Sequence, residues 1–216
     1  IFVEKPLTMD PELSTSLARS AKASGLSGVV GYQKRFSQPF KKLRDFVSKK
    51  TNSIRSIKIK MLSPQFSNSI EVGEKRGGVE WDLLPHVVDM ALWTTGVEEF
   101  GEISDFEVKS YGSGSIHVEM KKGDCKLDML ADWASKEARK PEMSGQVEFE
   151  DGEILVVDED RLYRVAKNGR EEKIVHKREL PPPWFDIAES DFSDQIMGVF
   201  DLMDGRESIN ANLHSS

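Results

Sequence analysis

Between Glu107 and Lys177 the sequence holds seven strand-length segments joined by short connections, and this constrains the fold more than any other feature. The segments are Glu107–Tyr111, Ser115–Met120, Cys125–Ala131, Gly145–Glu150, Ile154–Val157, Arg161–Val165 and Lys173–Lys177. Gly123, Asp151-Gly152 and Asn168-Gly169 stand between pairs of them. The last two are dipeptides that readily adopt the positive φ of tight hairpin turns. The pattern predicts a meandering antiparallel sheet with one wet face and one covered face.

The residues before this stretch have a different texture. Ile1-Phe2-Val3 reads as the end of a buried strand. Asp10-Pro11 starts a helix, because Asp caps free N–H groups and Pro is tolerated in the first turn. Leu13, Leu17 and Ala21 would form its inward face. Gly25 fits the residue after a helix end, and Leu26 to Tyr32 form a second strand. Residues 1–33 thus read as a strand–helix–strand unit of the parallel, doubly wound kind.

Residues 36–49 predict a helix with Phe36, Phe40, Leu43 and Val47 inward. Ser53 to Met61 alternate as a strand, residues 63–78 form a loop, and residues 81–95 form an apolar helix. Pro181–Pro183 end the sheet, and a last helix runs from Asp186 to Met203 with Ile187, Phe192, Ile196, Val199 and Phe200 available for packing. The expected fold class is α+β: a terminal β-α-β piece of a parallel sheet, then a domain with a large open, mostly antiparallel sheet. The expected division falls at residues 1–35 and 36–216. Two strands cannot make a self-sufficient parallel domain, so the chain reads as a piece of a longer protein.

Charge and cysteine content narrow the partners. The 216 residues carry 30 basic and 37 acidic side chains, a formal charge of −7. With no dense basic patch, nucleic acid is not an expected partner. The single cysteine, Cys125, excludes an intramolecular disulfide framework and a cysteine-cluster metal site. No apolar run approaches the roughly 18 residues of a membrane span, and no signal-peptide pattern opens the sequence. A soluble, cytoplasmic protein is expected.

The sharpest chemical constellation is Asp82, His86 and Asp89, spaced i, i+4 and i+7 on one helix face. The rest of that helix is apolar nearly all round, so the polar stripe is expected to be buried, and buried polar groups are paired or used. Pro85 is compatible with a helix start near Trp81 or Asp82. A helix N-terminus there would favour an anionic or polyhydroxyl ligand, and Gly77-Gly78 would allow its close approach. A carboxylate–histidine pair satisfied within a core would leave the same pattern. A metal site needs three or four convergent ligands. Since His117, His176 and Cys125 fall on unrelated strands, no metal site is expected.

Two further segments fall at carboxyl ends of the parallel strands, where ligand crevices of open α/β sheets lie. The first is Glu4-Lys5-Pro6, in which Lys5 offers a positive tip to a substrate hydroxyl or cofactor ribose. The second is Tyr32-Gln33-Lys34-Arg35-Phe36, in which Gln33 and Arg35 would line the same crevice as Lys5, and Lys34 would face water. Each segment also reads as an ordinary solvated linker. Trp81 would wall a sugar-like ligand; Trp93, Trp133 and Trp184 read as packing.

Taken in order, Glu4-Lys5-Pro6, Gly31-Tyr32-Gln33-Lys34-Arg35-Phe36 and Gly77-Gly78-Val79-Glu80-Trp81-Asp82-Leu83-Leu84-Pro85-His86-Val87-Val88-Asp89 resemble the Gfo/Idh/MocA family of NAD(P)-dependent oxidoreductases. The separations and the change from α/β to antiparallel sheet match as well, over essentially the whole chain. The resemblance implies that residues 1–35 are the end of a Rossmann domain binding NAD or NADP. Residues 36–216 would be the substrate-binding and oligomerisation domain, whose open sheet mediates a homo-oligomer.

The resemblance further implies that Lys5 is the catalytic-site lysine and His86 the acid/base for a substrate hydroxyl or carbonyl. Asp82 would help bind the substrate and tune that site. Glu4, Lys5 and Pro6, with Gln33 or Arg35, would shape the cofactor edge. The implied substrate is a sugar, cyclitol or related hydroxy/carbonyl compound. Pro85 stands where the family usually has glycine, and the Gly-rich dinucleotide fingerprint does not occur in these residues. The isolated 216 residues are therefore not expected to turn over substrate. The rival readings are a non-catalytic binding or oligomerisation module that keeps the fold and, last, a metal-dependent hydrolase or isomerase.

Overall fold

The computed structural model describes residues 1–26, 28–50, 53–64, 77–96, 103–110, 114–176 and 190–205. The chain divides into two compact units, residues 1–37 with 178–216, and residues 38–177. Pro181–Pro183, Trp184, Ile187 and most of the predicted 63–78 loop lie outside the described residues. Among the described residues, no helix is long and apolar enough to cross a membrane.

In the first unit, β1 (Phe2–Val3) and β2 (Val29–Val30) pair in parallel, Phe2 opposite Val29 and Val3 opposite Val30. The crossover between them is α1 (Pro11–Ala23), which is the predicted β-α-β unit. The Asp10 side chain accepts from the N–H groups of Glu12 and Leu13, at 2.9 and 3.3 Å, and Pro11 opens the helix. The expected inward stripe is not covered. No residue of α1 is buried, and Leu13 and Leu17 stay 49% and 43% exposed. A two-stranded sheet is too narrow a platform to bury a helix face of that length.

A 3-10 turn, Gln33–Phe36, follows β2. The last helix, α5 (Ser190–Met203), packs against this turn. Phe36 and Val29 form a small core with Phe2, Val199 and Leu202. By its contacts α5 groups with residues 1–37 and not with the sheet-bearing unit. Its expected packing face is reversed in part: Asp191 and Gln195 are buried, whereas Phe192, Ile196 and Phe200 are exposed. The buried side is polar because it meets Lys34. That lysine does not face water as expected; its Nζ lies 3.5 Å from Asp191 Oδ2. The two side chains are 6% and 0% exposed, so each charge offsets the other's desolvation.

The second unit is an eight-stranded sheet under two helices. Its strands are β3 (Ile54–Pro64), β4 (Ile103–Ser110), β5 (Ser115–Lys122), β6 (Cys125–Ser135), β7 (Glu142–Phe149), β8 (Ile154–Val157), β9 (Arg161–Val165) and β10 (Glu171–His176). They lie in the order β10-β9-β8-β7-β3-β6-β5-β4. Every neighbouring pair is antiparallel except β3 with β6. The hairpin turns close as expected: Gly152 and Gly169 have φ of 79° and 78°, and Asp151 and Asn168 each accept from the N–H two residues on.

β3 is not part of the meander but enters its centre. Ile57, Ile59, Met61 and Ile54 line one side of it, and the paired edges leave it no exposed backbone over most of its length. Leu127, Met129, Val118, Met143, Val147 and Leu155 extend that apolar face across the neighbours. α2 (Gln38–Ser48) covers the face with Phe40, Leu43 and Val47, all fully buried. The predicted helix over 36–49 is thus shorter at its start, because Phe36 belongs to the 3-10 turn.

The other helical cover is split. A single turn, α3 (Val79–Asp82), is followed by α4 (Leu84–Thr95), where one helix over 81–95 was expected. Pro85 explains the break: it has no N–H to return to the preceding turn, and its ring crowds the carbonyl four residues back. Pro85 is therefore tolerated only in the first turn of α4.

Candidate functional site

In the first unit, parallel pairing places Glu4-Lys5-Pro6 and Gly31-Tyr32-Gln33 at the same carboxyl end of β1 and β2. The Gly31 N–H donates to the Val3 carbonyl at 2.8 Å, which carries the pairing one residue past β2. Gly31 is closely bordered by two side chains of the first strand end. A Cβ there would stand 3.1 Å from a Glu4 carboxylate oxygen and 3.4 Å from the Phe2 ring. Glu4 is exposed, while Lys5, Pro6 and Gln33 are half-buried. Arg35 is buried, and its guanidinium lies 5.6 Å from the centre of the Tyr32 ring. The five predicted cofactor-side residues Glu4, Lys5, Pro6, Gln33 and Arg35 therefore flank one strand end.

In the second unit, Gly77 and Gly78 both have positive φ, 85° and 95°, and Gly78 leads into α3. Its carbonyl accepts from the N–H groups of Trp81 and Asp82 at 3.1 Å. At a φ of 95° an L side chain would be strained, so Gly78 suits this entry. Asp82 ends α3 and is half-buried. His86 is the third residue of α4, 5% exposed, with its N–H donating to the Leu83 carbonyl at 3.1 Å. Asp89 follows one turn later and is buried.

His86 and Asp89 thus share a continuous helix, while Asp82 lies in the preceding turn, joined to it through Leu83, whose backbone stays in the right-handed helical region. Each of the three is engaged in at least one polar, ionic or ring interaction. What the elements deliver is a buried imidazole in the first turn of a helix whose other residues, Val87, Met90 and Ala91, are packed solid.

Trp81 is half-buried beside Asp82, whereas Trp93 is buried in the core under the Arg44 guanidinium, 4.6 Å from its ring. A cavity of about 480 Å³ lies elsewhere on this unit, lined by Lys60, Lys140, Glu142, Ser144, Asp158 and Arg161 among others. It contains none of the predicted residues.

A further cluster was not read from the sequence. His117 and Glu119 on β5 and Asp128 on β6 bring their ligand atoms within 4.8 Å of one another. His117 Nε2 lies 3.0 Å from Asp128 Oδ1 and 3.7 Å from Glu119 Oε1. Lys126 Nζ donates to Glu119 Oε1 at 3.1 Å. That hydrogen bond holds the Glu119 carboxyl below its ordinary range, outweighing the opposing effect of burial, with the Lys126, Lys109 and His117 charges assisting. The sequence reading had put His117 on a strand unrelated to other ligands. The signal present was the alternation His117-x-Glu119, which places both on one face; the third member depends on strand register.

No protein-family model matches the sequence, and no curated protein matches it. Solved structures do match. The chain is similar to the UDP-N-acetylglucosamine 3-dehydrogenase of Acidithiobacillus ferrooxidans, with a TM-score of 0.74 at 18% identity, over 99% of this chain and 64% of that one. It is similar to an oxidoreductase from Agrobacterium radiobacter solved with NAD+, L-tartaric acid and magnesium, with a TM-score of 0.75 at 13% identity over 99% and 67%. An oxidoreductase domain protein from Kribbella flavida gives 0.71 at 17% identity over 95% and 66%. The chain spans about two thirds of the length of these relatives, only 64% of the first. At such identities the likeness establishes a shared fold: a β-α-β piece and a large open sheet, as found in solved dehydrogenases and oxidoreductases.

Proposed function

We propose that this chain is the larger part of an NAD(P)-linked oxidoreductase of the Gfo/Idh/MocA kind. It would transfer a hydride between the nicotinamide cofactor and a sugar, cyclitol or related hydroxy/carbonyl substrate. The observation that carries the reading is the parallel β1/β2 pair, with Glu4-Lys5-Pro6 and Gly31 to Arg35 at its carboxyl end. Ligand crevices of open α/β sheets lie at such ends.

The fit to a dinucleotide is partial and specific. Gly31 lies at the end of β2, and Lys5, Gln33 and Arg35, which carry donors, follow the two strand ends in sequence. No G-x-G-x-x-G loop for a pyrophosphate occurs in the 216 residues. These residues would hold the part of NAD or NADP nearest the reacting carbon. When bound, the cofactor supplies the hydride acceptor or donor.

The chain's own residues do the rest of the work in this reading. His86 takes the proton of the substrate hydroxyl, or returns it to a carbonyl. Lys5 would serve as the catalytic-site lysine, a positive group able to stabilise developing negative charge. Asp82, at the end of α3, binds a neighbouring hydroxyl. The open sheet serves a homo-oligomer.

The test uses the protein as its gene encodes it. Nicotinamide reduction is followed by absorbance against a panel of sugars and cyclitols, with His86→Ala and Lys5→Ala beside the wild type. Loss of general acid/base catalysis is expected to lower turnover by about 10²–10⁴-fold in His86→Ala with nicotinamide binding retained. Unchanged turnover in that variant would remove His86 from the mechanism. Absence of any nicotinamide binding by the wild type would favour a non-catalytic binding or assembly module.

A further inference from the structure

The eight-stranded sheet has a second face, opposite α2 and α4, and it carries chemistry of its own. On β5, Val118 and Met120 point into the core, so His117 and Glu119 point the other way. On β6, Leu127 and Met129 are buried, so Asp128 shares the outer face. Register places Glu119 directly opposite Asp128, with Glu107 of β4 opposite Glu119 on its far side. Three carboxylates thus line up across three strands. Like charges directly opposed across strands are destabilising unless cations lie among them. In this structure the Lys126 ammonium fills that role for Glu119, and His117 Nε2 lies at hydrogen-bond distance from Asp128.

From this geometry we propose that His117 Nε2, one oxygen of Glu119 and one oxygen of Asp128 form a binding site for a divalent transition-metal ion of the zinc class. Two of the three ligand separations, 3.0 and 3.7 Å, bracket the value a metal would impose. Donors bonded tetrahedrally at zinc distances stand about 3.4 Å apart. The third separation needs at most a side-chain rotation, since all three atoms already lie within 4.8 Å.

One imidazole with two carboxylates is a mixed N/O set, which suits zinc-class ions better than calcium or magnesium, whose ligands are oxygens. The three side chains are 16%, 24% and 24% exposed in the single chain, so the site is partly desolvated, and an ion reaches it while that sheet face is uncovered. The strands that carry them are pinned by continuous pairing from Ser115–Asp132 to Lys122–Cys125, so little ordering remains to be done on binding.

Lys126 is the competitor. Its ammonium occupies Glu119, but its side chain is 47% exposed on a flexible stem and can swing into solvent when a dication takes its place. The exchange replaces one positive charge by two beside two carboxylates. The site stands on a different face from His86 and is independent of the proposed redox function.

The experiment titrates untagged, chelator-treated protein with Zn²⁺ by calorimetry and with Co²⁺ by visible absorption, for wild type, His117→Ala, Asp128→Asn and Lys126→Gln. Circular dichroism verifies that each variant is folded; Asp128→Asn keeps the side-chain shape. One equivalent of Co²⁺ is expected to bind the wild type with the bands of a low-coordinate N/O site. Affinity should fall in His117→Ala and Asp128→Asn by at least about the 10–100-fold that loss of a residue merely supporting a ligand costs, and rise in Lys126→Gln. Equal affinity in wild type and His117→Ala would overturn the proposal. So would the absence of saturable uptake in both wild type and Lys126→Gln.

Discussion

Gly145 offers a quantitative test of how the sheet is packed. It sits inside β7, opposite Ile59 of β3 on one side and Val157 of β8 on the other. A Cβ added there would stand 2.6 Å from Ile59 Cδ1, and 3.2 Å from both the Lys58 carbonyl oxygen and Val157 Cγ1. Relaxed carbon contacts are about 3.5–4.0 Å, so the Ile59 methyl must move by about 1 Å. Ile59 is 1% exposed, so its methyl must move within the core and not into solvent.

Overpacking of this kind costs about 1–3 kcal/mol, while replacing glycine by alanine recovers about 0.4–1 kcal/mol from the unfolded chain. Gly145→Ala should therefore destabilise the sheet unit by about 1–2 kcal/mol. The offending atom is the δ-methyl of Ile59, which Ile59→Val removes at a cost of about 0.5–1.5 kcal/mol by itself. The double variant should cost less than the sum, with a coupling energy of about 1 kcal/mol. Urea midpoints at constant m-value, read by far-ultraviolet circular dichroism, measure all four corners of the cycle. Additivity of the two substitutions would refute the claim that Ile59 is what excludes a side chain at 145.

Two pH-linked predictions follow from other parts of the same unit. Burial pushes the Cys125 thiol up from 9.0 to about 11, against a smaller opposing pull from Lys122. Its alkylation by iodoacetamide at pH 8 should be on the order of 100-fold slower in the folded protein than in urea, since only the thiolate reacts; equal rates would contradict it. For Asp158, burial alone would raise the carboxyl, but the Arg161 side chain and the N–H groups of Asp160 and Arg161 together pull it below 3.8. A depressed folded value means the contribution is present above the ordinary carboxylate range and lost as pH falls through the folded value. The stability difference between wild type and Asp158→Asn should accordingly be constant above about pH 5 and shrink below 3.8. A difference that stays flat into strong acid would show that Asp158 acts by shape and not by charge.

What could be read from the sequence followed the range of the interactions involved. Asp10-Pro11, Asp151-Gly152 and Asn168-Gly169 act on backbone within two or three residues, and each does in the structure what its chemistry predicts. The break between α3 and α4 was half legible: Pro85 announced a helix start, but not that the preceding turn would form separately and take Asp82 with it. Lys34 was misread because its burial depends on Asp191, 157 residues further on. The exposed stripe of α1 was misread for the converse reason, since periodicity states which face is apolar and not whether anything covers it.

The same reasoning explains why the sheet hid its second cluster. Alternation along β5 and along β6 determines that His117, Glu119 and Asp128 face away from the core, and each strand alone yields that much. It does not determine which residue of one strand meets which residue of the other. Sliding β6 by two positions would keep every apolar side chain inward and put Leu130 or Lys126 opposite Glu119 in place of Asp128. The turn settles the register. Gly123, at φ 56°, closes the hairpin with Lys122 opposite Cys125, and counting back from that pair brings Glu119 against Asp128. A hairpin turn thus decides whether two carboxylates and an imidazole become neighbours, so two residues inserted beside Gly123, which shift the pairing by two, should disperse the cluster while leaving the core pattern of both strands unchanged.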